Sequence, residues 1–223
     1  MQVTKFTGFT PAAIQFFLDL AENNYKPWFE ANKAVYETEL KEPFKALITA
    51  MAPAMYDIDN RFELRPYRVL SRIYRDTRFS KDKSPYKTCL WMTFQRPVTD
   101  WMNYPGYFME LSADGYLLGM GLYAAKKQVM EEFRSKVESD PDYFRSITEE
   151  LTSKRGFSIE GDLYKRPLSN ELDEYFQPWM QRKSVWIMKK CPIGDEVFSQ
   201  DIQRILEDDF TAMKDLYNFF SEE

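Results

Sequence analysis

Histidine is absent from this chain of 223 residues. Without an imidazole it can build neither a Ser-His-Asp or Cys-His relay nor a histidine-ligated zinc site, and no side chain has an unperturbed pKa near neutrality. Acid–base work would fall to carboxylates, lysine, tyrosine or cysteine. Cysteine is nearly absent too: Cys89 and Cys191 lie far apart in no metal or redox spacing, which fits packing roles in a reducing compartment. Glycine is scarce, at eight residues, and no G-x-x-x-x-G-K-[ST] segment occurs, so a phosphate would be held by side chains. No apolar run approaches the roughly 18 residues of a membrane span, and Met1 to Thr10 lacks a signal-peptide core. These absences predict a cytoplasmic protein with no membrane association.

What is present is a chain able to fill a core, 44% hydrophobic and 17% aromatic, with a net charge of −5. The charge is unevenly spread. Between Arg61 and Arg96 ten basic residues face three acidic ones, whereas the rest of the chain carries 20 basic and 32 acidic residues. A basic island in an acidic protein points to a local anion site. It argues against duplex nucleic acid, which asks for a broad positive face.

Periodicity predicts an α+β fold in one domain spanning 1–223. Helices occupy 10–55, an antiparallel sheet 65–124, and helical and mixed structure 125–223. Thr10-Pro11 opens a helix ending near Asn23-Asn24, a second begins near Pro27-Trp28, and a third begins near Pro43 with Phe44, Leu47, Ile48, Met51 and Met55 on one face. Strands are expected at Tyr67–Tyr74, Thr88–Gln95, Tyr107–Ser112 and Tyr116–Tyr123, the last two joined through Asp114-Gly115, and another at Ser184–Cys191. Short connections make a meander of about four or five strands covered by N-terminal and C-terminal helices. After Ala124, Val129, Phe133 and Val137 mark a further helix. Residues 156–172 read as irregular or a short strand, and Asp195 opens one long terminal helix.

The densest polar segment joins the first two expected strands: Arg75-Asp76-Thr77-Arg78-Phe79-Ser80-Lys81-Asp82-Lys83-Ser84-Pro85-Tyr86-Lys87-Thr88. Arg75 and Arg78 offer planar forks for phosphate or carboxylate, Lys81, Lys83 and Lys87 add point charges, and Thr77 and Ser80 can donate to anionic oxygens. Arg72 belongs with them, four residues from Arg68 on the expected strand. Asp76 and Asp82 either orient the arginines or merely neutralise their neighbours. The plain alternative is a solvated turn whose charges pair locally, each exposed pair contributing about 0 to 1 kcal/mol.

The run RDTRFSKDKSPYKT resembles the signature of the domain of unknown function (DUF) 2461 family, and the resemblance extends over most of the chain. Early positions are Phe17, Leu18, Leu20, Asn23, Asn24, Trp28, Phe29, Lys33 and Tyr36. Later ones are Gly121, Tyr123, Arg134, Gly161, Asp162, Lys165, Arg166, Pro167 and Lys183-Ser184. The resemblance implies an α+β fold, a recurring basic loop, and Arg134, Lys165, Arg166 and Lys183 as further cations of an anion site. The family name supplies no activity. Ala124-Ala125 stands where family members usually carry a proline.

Other motifs carry less. Gly119 to Ala124 fits G-x-G-x-x-A, but the expected antiparallel hairpin is the wrong context for a dinucleotide fold, and relief of crowding under a large aromatic or close approach of another element explains the glycines better. Asp57-Ile58-Asp59-Asn60 and Asp208-Asp209 lack calcium-loop spacing. No metal site and no cofactor are expected, and nothing selects a catalytic residue. Trp28, Phe29, Trp91, Trp101, Trp179 and Trp186 read mainly as core. Three functions remain: a binding domain or enzyme for a phosphorylated or carboxylated small molecule, a module docking an acidic protein, and a single-stranded nucleic-acid contact.

Overall fold

The computed structural model describes residues 5–78 and 81–221. Helix α1 (Pro11–Glu22) starts as the sequence predicts: the Thr10 hydroxyl accepts the Ala13 N–H at 3.3 Å and Pro11 occupies the first turn. Helix α2 (Lys26–Val35) continues through a π-helical turn, Tyr36–Lys41, into α3 (Glu42–Ile58). The two predicted helices therefore form one continuous helical run. The wider turn carries the chain past Pro43, which has no N–H to give to an α-helical bond. Phe44, Leu47, Ile48, Met51 and Met55 are all fully buried on one face of α3, as their spacing predicts.

The predicted strand Tyr67–Tyr74 is a correction. Pro66–Val69 forms the single helical turn α4, begun by a proline whose fixed φ suits a first turn. Only isolated antiparallel bridges follow, Leu70 to Met92 and Tyr74 to Tyr86. Aromatic and branched residues gave 67–74 a strand-like composition, and the proline outweighed it. Arg68 lies in the helical turn, so it does not share a strand face with Arg72.

The other strands fall where expected. They are β1 (Cys89–Phe94), β2 (Gly106–Ser112), β3 (Tyr116–Leu122), the short β4 (Ser158–Glu160) and β5 (Val185–Cys191). They make an antiparallel open sheet in the order β1-β2-β3-β5-β4, so the fold is α+β. Along β1, Leu90, Met92 and Phe94 are buried while Cys89, Trp91 and Thr93 are half-exposed, the alternation of a strand with one face in the core.

The residues gather into two compact units. The first comprises the chain up to Phe94, Phe108–Leu117 and Lys190–Glu207. Its aromatic centre is Phe29, which meets Phe16, Tyr36, Tyr74 and Tyr86 at ring separations of 4.1 to 6.4 Å. Burying such a ring stabilises by roughly 1.5–3 kcal/mol. A 3₁₀ turn at Asp195–Phe198 precedes α8 (Asp201–Ala212), where one long terminal helix was expected; α9 (Lys214–Ser221) is separate again. The turn is anchored by Phe9, whose N–H donates to the Val197 carbonyl at 2.9 Å.

The second unit comprises Gln95–Tyr107, Leu118–Lys189 and Asp208–Glu223. It holds α5 (Lys127–Ser139), α6 (Pro141–Ser153) and the single turn α7 (Gln177–Met180) around buried Phe133, Phe144 and Trp179. After Ala124-Ala125, α5 has no side-chain cap of its own at Lys126, and the Lys126 N–H donates to Asn103 Oδ1 at 3.1 Å. Two glycines of the family resemblance have steric reasons here. A Cβ on Gly121 would strike the backbone of Trp186, and one on Gly161 the Ser184 carbonyl; both residues have positive φ, 157° and 125°. Close approach is thus the role of Gly121, as expected from its spacing in the strand.

Candidate functional site

In the first unit the signature loop springs from a short ladder. The Arg75 N–H donates to the Pro85 carbonyl at 2.9 Å and the Lys87 N–H to the Ile73 carbonyl at 2.8 Å. Asn24 clamps the far strand from α1's side, donating to the Tyr86 carbonyl and accepting the Tyr86 N–H, both at 3.0 Å. The Tyr86 ring stacks on Phe29 at 4.1 Å. Early and central parts of the family resemblance therefore meet in three dimensions, and the loop has a fixed base.

At the tip the charges are spent on one another. The Arg78 guanidinium forks onto Asp76 at 3.0 and 2.7 Å, and the Arg78 N–H donates to the same carboxylate. These bonds pull Asp76 down to about 2. Lys83 Nζ donates to the Thr77 carbonyl at 2.8 Å. Asp82 accepts the Ser84 N–H and hydroxyl, which lower its pKa, and meets Arg75 Nη1 at 3.0 Å. Asp76 and Asp82 thus each pair with one arginine, Arg78 and Arg75. Lys81 is exposed and makes no ion pair among the described residues. Phe79 and Ser80 lie outside the described residues.

The base is different. Lys87 Nζ donates to the Arg72 carbonyl at 2.7 Å and sits 4.0 Å from the centroid of the Trp91 ring. Burial lowers the pKa of this amine, and Arg75 and Arg72 push the same way against Cys89 and Glu110. Arg75 Nε is buried and donates to no acceptor among the described residues, while its Nη2 lies 3.4 Å from the Tyr86 carbonyl. Beside them on the half-exposed face of β1 and β2 lie Cys89 and the Glu110 carboxylate. Burial and that carboxylate push the thiol up to about 12 against Lys87 and Arg75. It stays protonated at neutral pH and is no nucleophile. Arg72 makes no ion pair among the described residues. The base therefore holds three crowded cations, Arg72, Arg75 and Lys87, with Glu110 and Asp82 as counter-charges.

The four distant cations of the resemblance belong to the second unit. Arg134 donates to the Arg182 carbonyl at 3.3 Å and lies 5.8 Å over the Tyr164 ring. The Lys183 N–H donates to the Asp162 carbonyl at 2.8 Å. Lys165, Arg166 and Lys183 are exposed and make no ion pair among the described residues.

Sequence reasoning passed over Trp91, Cys89 and Glu110 as site residues; only their alternation with buried neighbours on a strand could have placed them on one face. The core assignment of the tryptophans also needs correcting. Of the six aromatic residues named, Phe29 and Trp179 are buried, Trp28, Trp91 and Trp186 are half-exposed, and Trp101 is exposed. Among the described residues no group of three or more Cys, Asp or Glu side chains gathers to hold a metal ion, and no helix is long and apolar enough to cross a membrane.

An α+β fold with a clamped loop whose cations outnumber their carboxylate partners defines the class of protein. The chain belongs to the family described as conserved hypothetical protein (DUF2461), whose model matches residues 12–219. No curated protein matches the chain.

Proposed function

We propose that the first unit binds a phosphorylated or carboxylated small molecule at the base of the signature loop, between Arg72, Arg75 and Lys87. The observation that carries this reading is the crowding of Lys87. A half-buried ammonium rests on the Arg72 carbonyl at 2.7 Å as its one hydrogen-bond partner among the described residues, and burial, with Arg75 and Arg72 behind it, lowers its pKa. Like charges packed this way repel, and an anion between them relieves the repulsion. The tip cations, Arg78, Lys81 and Lys83, then steer the ligand and contribute less to holding it. The reading takes the protein to be cytoplasmic, in keeping with its two unpaired cysteines.

The test is thermal stabilisation by a panel of phosphorylated and carboxylated metabolites at matched ionic strength, in the parent and in Lys87→Gln and Arg72→Gln. A specific ligand raises the melting temperature of the parent alone. No stabilisation beyond the ionic-strength control, or equal stabilisation of both variants, contradicts the proposal.

A second reading has one observation of its own. Tyr67 is 65% exposed, with the Arg65 and Arg68 guanidiniums 5.7 and 5.9 Å from its ring, an arrangement on which a single-stranded base could stack. Oligonucleotide binding that falls steeply with salt and is lost in Tyr67→Ala would favour it over the small-molecule site.

A further inference from the structure

The second unit contains a cavity of about 380 Å³ that is chemically unlike the loop. Its walls include the rings of Tyr104, Phe133, Phe219 and Phe220, with Phe133 packed against Phe220 at 5.2 Å and edge-on to Phe219 at 6.2 Å. Val129, which the helical period assigns to the core, is half-exposed because it faces this space. Two carboxylates line the cavity, Asp100 and Glu132, against one ammonium, Lys136. Asp100 is paired with Lys126 at 2.9 Å. Glu132 accepts the Gln128 amide at 2.9 Å and makes no ion pair among the described residues, with the Lys136 ammonium elsewhere on the lining.

We propose that this cavity binds a small organic ammonium ion, its apolar body against the phenylalanine rings and its charged nitrogen toward Glu132. The size suits a compact ligand, since small-molecule sites span roughly 300–1,000 Å³. Aromatic faces attract cations through their quadrupole, and a carboxylate at the rim adds charge selection that a purely apolar cavity lacks. One lining ring, Tyr104, already attracts a cation from outside the lining: the Arg96 guanidinium lies 5.1 Å from its centroid. An anionic ligand with its charge in the same place would meet the Glu132 carboxylate, whereas the loop base presents cations, so the two sites select opposite charges. The inference is independent of the anion reading.

The test uses the full chain and three probes of one shape: 2-phenylethylamine, 2-phenylethanol and 3-phenylpropionate. Calorimetric titration should show the amine binding about tenfold more tightly than the alcohol, equivalent to ~1.4 kcal/mol, with the acid weakest. Glu132→Gln should bring the amine to the level of the alcohol and leave the alcohol unchanged. Val129→Trp, which fills the cavity while leaving the rings in place, should abolish binding of both. The proposal is overturned if the alcohol or the acid binds as well as the amine, if Glu132→Gln keeps the preference, or if no probe binds saturably to the folded parent.

Discussion

Both units concentrate cations, and they treat them in opposite ways. In the second unit Arg155 and Lys189 converge on Asp209, a carboxylate whose side chain is 4% exposed, at 3.4 and 2.8 Å, and Arg155 also meets Asp208 and Glu150. Each positive charge there has a carboxylate. At the loop base in the first unit, Lys87 and Arg72 have none within ion-pair distance among the described residues, and Arg75 shares Asp82 with a serine. Cation density alone therefore does not mark a binding site. The first cluster is a structural network, and the second holds charge that its surroundings leave unmatched.

The sharpest way to break this contrast is at Asp209. Asp209→Ala leaves the partly buried Lys189 without its carboxylate and Arg155 with only its exposed partners Asp208 and Glu150, and should destabilise the protein by about 3 kcal/mol, read from urea unfolding, with no effect on anion binding. A small loss would mean that the network is as solvated as the loop. Next comes the clamp. Asn24→Ala removes both bonds to the Tyr86 peptide, and two hydrogen bonds at about 1 kcal/mol each should go with it, together with part of the anion affinity, since the loop base loses its anchor. Unchanged binding would show that the base needs no preorganisation.

Lys87→Gln should separate function from stability. Because the cation is crowded, its removal should change unfolding free energy by less than about 1 kcal/mol while weakening anion binding by about tenfold. The pH dependence has a definite sign. A lysine whose pKa is lower in the folded state carries a penalty fully present below that folded value. The penalty is relieved as pH rises from there toward the ordinary lysine value of 10.5, so stability rises across that window. Anion affinity should fall over the same window as Lys87 loses its proton, and Lys87→Arg should abolish the loss. Between about pH 6 and 8 no imidazole titrates, and binding should change only with the ligand. The smallest effect is at the tip: Lys81→Gln should reduce affinity by about twofold or less at physiological salt, where an exposed charge is largely screened.

The helices of strong period and the strands from Cys89 onward could be read from the sequence because burial there follows one face. Three features could not. The turn at Pro66–Val69 hides behind strand-like residues, the π-helical turn at Tyr36–Lys41 has no composition of its own, and the breaks around Ser199 and Met213 interrupt an otherwise helical period. The candidate site divides similarly. Charge density points to the loop, but the pairing of Arg78 with Asp76 and the placing of Lys87 over Trp91 are tertiary facts. They shift the centre of the site from the tip to the base. The distant cations of the family resemblance belong to the second unit, where the Arg134 side chain meets the Arg182 carbonyl and the Tyr164 ring while Lys165, Arg166 and Lys183 are exposed, and matching positions alone could not say so.

Titration of ¹⁵N-labelled protein with inorganic phosphate, against chloride at equal ionic strength, tests the central claim most directly. Saturable shifts at the Arg75 Nε–H, the Trp91 indole and the Lys87 amide, with the Arg155 and Lys189 signals unmoved, are expected if unmatched charge makes the site. Shifts spread evenly over the basic surface, or none beyond those in chloride, would contradict it.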